Sequence, residues 1–355
     1  MNREYKFMVC TWCPTYNHAP YIVDAMNGFC DQETPFPVVH VIVDDASTDG
    51  EQDIIKKYLE DNFDLYKKET AWKEETDDYY LIFAQHVSNA SCYFAVLLLK
   101  YNHYQIKKTK DSYLKKWLEN SKYIAFCEGD DYWTDSQKLK MQVELLEKHP
   151  ESGMNYTAFQ LWNQNRGESK DVYTPKTVQF DDGFKWDVMS FNVTIGTATT
   201  LIRCDIYKKI ADECADDFAG FMMGDIQTWF NCARLSKVNY LPIVTTTYRK
   251  HEGSLTALND NQRELLFEKE MLRMRTYLCE KYDAPEPVRK RINVVIGSML
   301  ITTLIKLKQY DNAISVNKEI FNNNSSLRFI IIIAKLFGWT HIPGLGWFIK
   351  QTQNK

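Results

Sequence analysis

Two short runs of buried-strand character constrain this chain most. Lys6–Trp12 (KFMVCTW) and Val38–Asp44 (VVHVIVD) are nearly continuous apolar, β-branched segments, and Tyr21–Gln32 between them has helical spacing. A strand with one wet face alternates apolar and polar residues. A strand covered on both faces reads as one apolar run, and a helix joining two such runs is the crossover of a parallel βαβ unit. The expected class is therefore α/β.

The same reading extends along the chain. A helix is expected after Gly50 through about Leu59. Tyr123–Cys127 reads as a further strand, followed by a helix over Gln137–Lys148 that Pro150 stops. Asn89–Lys100 and Ser112–Glu119 read as helices, and 163–187 as a polar loop. Thr194–Arg203, Val238–Leu241 and Val244–Arg249 read as strands, with a helix over Ile226–Leu235. After His251 only helices are expected: Asn261–Lys281, Pro287–Lys308 and Asp311–Phe321. With 355 residues the chain exceeds one small domain. The expected division is 1–255 for the α/β part and 256–355 for a helical region.

Charge follows that division. Residues 261–355 carry 15 Lys+Arg against 8 Asp+Glu, a net of +7, while residues 1–260 carry 28 against 39, a net of −11. No basic stripe supports nucleic-acid binding. No apolar leader follows Met1, so the nine cysteines are expected as free thiols in a reducing, cytoplasmic setting. Cys10 and Cys13 have C-x-x-C spacing but no second pair to complete a zinc site. No run of 18 apolar residues occurs, so no spanning helix is expected.

Acidic residues gather where strands are expected to end. Asp44 and Asp45 close the second strand; Glu128, Asp130 and Asp131 follow a later one; Asp225 opens a helix. In an open parallel sheet the carboxyl ends of strands are where ligands bind. Converging carboxylates there suit a hard divalent cation shared with diphosphate oxygens. Asp also favours turns and helix N-caps, which is the structural reading of each site taken alone.

As an ordered set, three segments resemble the inverting glycosyltransferases of family 2, in the form of bacterial polysaccharide and lipopolysaccharide enzymes. They are Pro14-Thr15-Tyr16-Asn17, Val43-Asp44-Asp45-Ala46-Ser47-Thr48-Asp49-Gly50 and Glu128-Gly129-Asp130-Asp131-Tyr132-Trp133. The resemblance covers roughly residues 5–255. It implies a GT-A, Rossmann-like, mixed and mostly parallel sheet flanked by helices, with an all-helical C-terminal region. It implies a nucleotide-sugar donor, UDP-sugar by family habit, and Mn²⁺ or Mg²⁺.

Carried over by residue, the resemblance places Thr15, Tyr16 and Asn17 at the donor nucleotide, with Tyr16 as a stacking surface. Asp45 is implied to read the base, Asp130 to bind the ribose and Asp131 the metal. Glu128 stands where the family more often has Asp. Asp225, in Gly224-Asp225-Ile226-Gln227, resembles the catalytic acid position and is implied to be the general base. Tyr248-Arg249-Lys250-His251-Glu252-Gly253-Ser254 resembles a Y-R-x-H-x-x-S segment. It implies Arg249 at the diphosphate and His251 as a metal ligand. Trp133, Trp186 and Trp229 are candidates for sugar stacking, against the plainer reading of buried aromatics.

Leu327–Ile349 is apolar and interspersed with Arg328 and Lys335. Two readings stand: an interfacial segment on an anionic membrane, or a helix docked on the protein. The expected setting is cytoplasmic, peripheral on the inner membrane, with a glycan or lipid-linked acceptor. The alternative function is a non-catalytic sugar-nucleotide-binding or scaffold protein of a polysaccharide assembly complex.

Overall fold

The computed structural model describes residues 5–252, 260–345 and 348–349. Gly253, Ser254, Trp347, Lys350 and Lys355 lie outside the described residues. The first elements are β1 (Phe7–Thr15), α1 (Ile22–Cys30), β2 (Val38–Asp44) and α2 (Glu51–Asn62). Next come β3 (Phe63–Asp64), β4 (Trp72–Glu75), β5 (Tyr79–His86), β6 (Cys92–Leu99) and α3 (Asp111–Glu119). Then follow β7 (Ser121–Phe126), β8 (Tyr132–Trp133), α4 (Lys138–Lys148), β9 (Ser152–Asn163) and β10 (Glu168–Val172). α5 (Phe184–Met189), β11 (Thr200–Arg203), α6 (Cys204–Glu213), α7 (Asp225–Leu235) and β12 (Lys237–Lys250) come after them. The helical end holds α8 (Asn261–Lys281), α9 (Glu286–Lys306), α10 (Tyr310–Ile320) and α11 (Ser325–Phe337).

The strands form one mixed sheet along the path β3-β5-β6-β2-β1-β7-β11-β9-β12-β8, with β4 on β5 and β10 on β9. Its centre, β6-β2-β1-β7, is parallel, with Cys13 opposite Ile42 and Trp12 opposite Phe126. The flanks are largely antiparallel. The βαβ reading of the first segments thus holds, and the α/β class with it. Val9, Cys13, Ile42, Phe94, Val96 and Tyr123 lie in the core that helices cover on this sheet. α1 presses so close to β8 that a Cβ on Gly28 would meet the Trp133 carbonyl oxygen at 2.7 Å. Only glycine permits that approach.

Four expectations are corrected. Asn89–Lys100 is not a helix: Cys92–Leu99 forms β6, almost wholly buried beside β2. The loop expected over 163–187 instead contains the return strand β10, paired antiparallel with the end of β9, and the short helix α5. Thr194–Arg203 is a strand only from Thr200. Val238–Leu241 and Val244–Arg249 are one strand, β12, whose register on β9 shifts between Leu241 and Val244. Pro242 lies in that shift; it has no amide hydrogen to give the ladder, so the strand bulges there instead of ending.

By contact density the chain forms two compact units. The first is Met1–Asp182, Thr194–Glu213 and Asn231–Lys250, and it holds the sheet. The second is Gly183–Val193, Cys214–Phe230 and His251–Lys355. It therefore takes in two segments from before the expected boundary. In the second unit Met274, Leu278, Ile296, Ile301 and Leu304 share a core with Leu327, Ile331 and Ala334 of α11. Arg275 is buried there; its guanidinium donates to the carbonyls of Val188 and Met189.

All nine cysteines are free thiols, eight of them buried and Cys30 half-buried. No helix among the described residues is long and apolar enough to cross a membrane.

Candidate active site

Three adjacent parallel strands, β2, β1 and β7, end at the same sheet edge, and each hands on a segment carrying the expected residues. β1 ends at Thr15, which is 3% exposed. Its hydroxyl donates to Glu51 Oε1 at the first turn of α2. Glu51 Oε2 also accepts from the His18 amide at 2.8 Å and the Ser47 hydroxyl at 2.9 Å. Burial pushes the Glu51 carboxyl up to about 7.

Tyr16 follows Thr15 and is 38% exposed. Asn17 is in the left-handed region, φ 56°, and so is Ala46, φ 60°. Asn17 braces the two loops: its amide donates to Ser47 Oγ at 2.9 Å and its Oδ1 accepts from the Thr48 amide at 2.8 Å. Asn tolerates this conformation; alanine there is a strained position of the kind that clusters at functional sites.

Asp44 faces inward, accepting from the Ser47 amide at 3.0 Å and Gln52 Nε2 at 2.5 Å. Asp45 is 2% exposed and its carboxylate is engaged by its own chain. Oδ1 accepts from the His103 amide at 2.7 Å; Oδ2 accepts from the Tyr104 amide at 3.1 Å and from Lys110 Nζ at 2.6 Å. Burial acts to raise the Asp45 pKa, but the Lys110 ammonium and the His103 amide outweigh it, and the carboxyl titrates below its usual range.

The third segment is the turn after β7. The Gly129 amide donates to the Pro14 carbonyl at 3.1 Å, and a Cβ on Gly129 would stand 2.2 Å from Thr15 Oγ1. This glycine is what lets the acidic turn close on the end of β1. Asp130 is half-buried, with Oδ2 3.9 Å from His18 Nε2. Asp131 points inward, 3% exposed, and its Oδ1 accepts from the Arg249 amide of β12 at 2.8 Å. Burial, then the charges of Asp130 and Glu128, drive its pKa well upward. The Arg249 guanidinium pairs with Asp24 at 2.6 Å and lies over the rings of Tyr21, 4.6 Å, and Tyr132, 5.0 Å.

Thr15, Tyr16, Asn17, Asp45, Asp130, Asp131 and Arg249 all belong to the first unit. Asp225 and His251 belong to the second. Asp225 is the first residue of α7, with Oδ1 accepting from the Ile226 amide at 2.8 Å. Burial pushes its carboxyl up, opposed by that amide and by Arg275. His251 is buried and directly follows β12. Trp133 and Trp229 are buried core residues, not open stacking surfaces, and Trp133 Nε1 donates to the Ala198 carbonyl at 2.9 Å. Trp186 packs on Phe230 at 5.5 Å.

Reading the sequence passed over His18, Glu51, Gly129 and Lys110. The first three had a signal, since His18 and Glu51 adjoin the quoted segments and Gly129 lies within one. Lys110 had none, for its partner is 65 residues away.

Residues 12–74 match the model of glycosyl transferase family 2. The chain is 32% identical over 138 residues to an uncharacterized protein of Mycobacterium tuberculosis, covering 39% of this chain and 31% of that protein. It is 25% identical over 201 residues to the candidate teichuronic acid biosynthesis glycosyltransferase TuaG of Bacillus subtilis, covering 56% and 63% of the two. It thus spans less than two thirds of the length of these relatives. In fold it is similar to a mannosyltransferase from Pyrobaculum calidifontis solved with GDP-Man and Mn²⁺, with a TM-score of 0.53, 12% identity, and 99% and 85% of the chains covered. Family model and relative agree in pointing to family 2 glycosyltransferases, to which the chain is similar through residues 12–74, and its fold is similar to that of a solved glycosyltransferase.

Proposed function

We propose that the chain is an inverting glycosyltransferase. It moves a hexosyl or related sugar from a nucleotide-sugar to a hydroxyl of a glycan or lipid-linked acceptor in bacterial surface polysaccharide synthesis. The observation that carries this reading is the meeting of Thr15–Asn17, Asp45 and the Glu128–Asp131 turn at the ends of three adjacent parallel strands.

In this reading Tyr16 stacks the base and Thr15 and Asn17 shape the loop beneath it. Asp45 reaches the base either through the 102–110 loop it holds or by exchanging Lys110 for a ring N–H. Arg249, already seated between Tyr21 and Tyr132, lies at the diphosphate side. Asp225 is the general base: a carboxylate whose affinity for a proton is raised by burial is better matched to accept one from a sugar hydroxyl near neutral pH. A single displacement with one base inverts the anomeric carbon.

The donor set fits a divalent cation. Asp130 and His18 offer a carboxylate and an imidazole 3.9 Å apart, a combination that Mn²⁺ accepts more readily than Mg²⁺. Asp131 and His251 complete the proposed ligands. A bound cation would neutralise charge on the departing diphosphate. The proposed setting is the cytoplasmic face of the membrane, with the C-terminal helices on its anionic surface.

The test is release of nucleoside diphosphate from a panel of UDP-sugars and GDP-mannose, with Mn²⁺ or Mg²⁺. Metal-dependent release that Asp131→Ala abolishes is expected. Equal release by the variant would refute the metal assignment. Nucleotide binding by calorimetry with no turnover on any donor–acceptor pair would instead favour the scaffold reading.

A further inference from the structure

We propose that α11 is a two-faced helix whose outward face docks on an anionic lipid surface. The inference rests on the peripheral-membrane part of the proposed function and is independent of its chemistry. The sequence posed packing and membrane contact as alternatives, and the helix has a face for each.

Leu327, Ile331 and Ala334 point into the core of the second unit. A surface helix that buries such a stripe ordinarily carries polar residues opposite. α11 does not. Phe329, Ile332 and Leu336 recur at i, i+3 and i+7 on the other side, exposed at 64%, 37% and 73%. Phe337, 67% exposed, extends the patch. Gly338, left-handed at φ 65°, ends the helix and turns Trp339 back over the Phe337 ring, with centroids 5.6 Å apart. An aromatic pair at the end of an apolar face is what the headgroup layer accommodates.

Charge selects the occupant. Arg328 and Lys335 lie on the exposed surface of the helix beside the apolar stripe; α11 contains no acidic residue, although Lys335 Nζ also pairs with Asp311 of α10 at 2.6 Å, which leaves Arg328 as the main basic group at that edge. No Asp or Glu follows Glu319 anywhere in the sequence. A face that is apolar at its centre and basic at its edge complements an anionic amphiphile. The helix needs no folding on contact: Asn324 already caps it, accepting from the Leu327 amide at 3.0 Å. Its 13 residues extend about 20 Å at 1.5 Å each, enough to lie in the interface and too short to cross it.

The experiment is vesicle co-sedimentation of the full chain without any sugar nucleotide. Wild type is expected to bind phosphatidylcholine–phosphatidylglycerol vesicles and to bind vesicles of phosphatidylcholine alone much less. Phe329→Ser/Leu336→Ser is expected to lower the bound fraction about tenfold or more. Its melting temperature and vesicle-free donor hydrolysis should stay those of wild type, since both positions are exposed and outside the candidate active site. Unchanged binding by the variant, or equal binding to both vesicle types, would overturn the proposal. So would a wild-type dimer in size-exclusion chromatography that the same substitutions convert to monomer, because the face would then belong to a second copy. Vesicle binding with no donor turnover would support docking while telling against the transfer reading.

Discussion

Lys110 Nζ stands 2.6 Å from Asp45 Oδ2, and the amides of His103 and Tyr104 converge on the same carboxylate. One buried aspartate at the end of β2 thus holds a loop whose ammonium comes from 65 residues further along. Asp45→Ala is expected to leave two amides and a half-buried ammonium unpartnered, at a cost of roughly 2–4 kcal/mol. Lys110→Met leaves the buried carboxylate its two amide donors and should cost less, roughly 1–3 kcal/mol. Chemical denaturation checks both. Limited trypsin digestion should cut the Asp45→Ala protein faster at Lys107, Lys108 and Lys110 than wild type; equal cutting would mean the loop is held by something else.

Asp225→Asn keeps an oxygen for the Ile226 amide but cannot accept a proton. Turnover should fall roughly a hundredfold to ten-thousandfold, the usual worth of a general base. Donor dissociation constants from calorimetry should change little. A parallel loss of donor binding would make Asp225 a structural residue.

Gly129→Ala places a methyl 2.2 Å from Thr15 Oγ1 and 2.6 Å from Thr15 Cβ, both in a buried side chain. The turn must retreat from β1. The expected cost is about 1–3 kcal/mol, read as a lower melting temperature. Nucleotide affinity should weaken with it, because Thr15 and Asp130 move apart.

Glu268 of α8 is 1% exposed, and its carboxyl is raised from 4.5 to about 7, first by burial and then by Glu264. Thr303 donates to Oε1 at 3.0 Å, and Lys306 partly offsets the shift. The folded state therefore holds this proton more tightly than the unfolded chain does. The stability it contributes is fully present below pH 4.5 and is lost as pH rises through 7, about 3 kcal/mol in all. Glu268→Gln should flatten the fall between pH 5 and 8 in thermal melts. An unchanged pH slope would refute the assignment.

What the sequence disclosed was what is local. β1, β2 and α1 were legible because each carries its own pattern, and the acidic segments were legible because turn and strand end adjoin. α8 was legible to the residue, since 21 residues of helical period leave little room for another reading. β6 was not: Cys-Tyr-Phe-Ala-Val-Leu-Leu-Leu is apolar throughout, and only its place beside β2 makes it a strand. β10 escaped because an exposed hairpin strand of Glu-Ser-Lys-Asp-Val has no apolar face to signal it. In the site, Asp45 was visible but its hold on Lys110 was not, because that bond is made by the fold.

The Arg249 amide meets Asp131 across 118 residues of chain. Closing a loop of that length is paid only when the intervening strands are already in place. The acidic turn after β7 therefore receives its final tether late in biosynthesis. A nascent chain still short of β12 can pair β1 with β2 and β7, yet Asp131 lacks the Arg249 amide. Asp131 is thus fixed by a strand made long after the turn it belongs to, and a chain cut short before Arg249 is expected to leave that turn without its tether to β12.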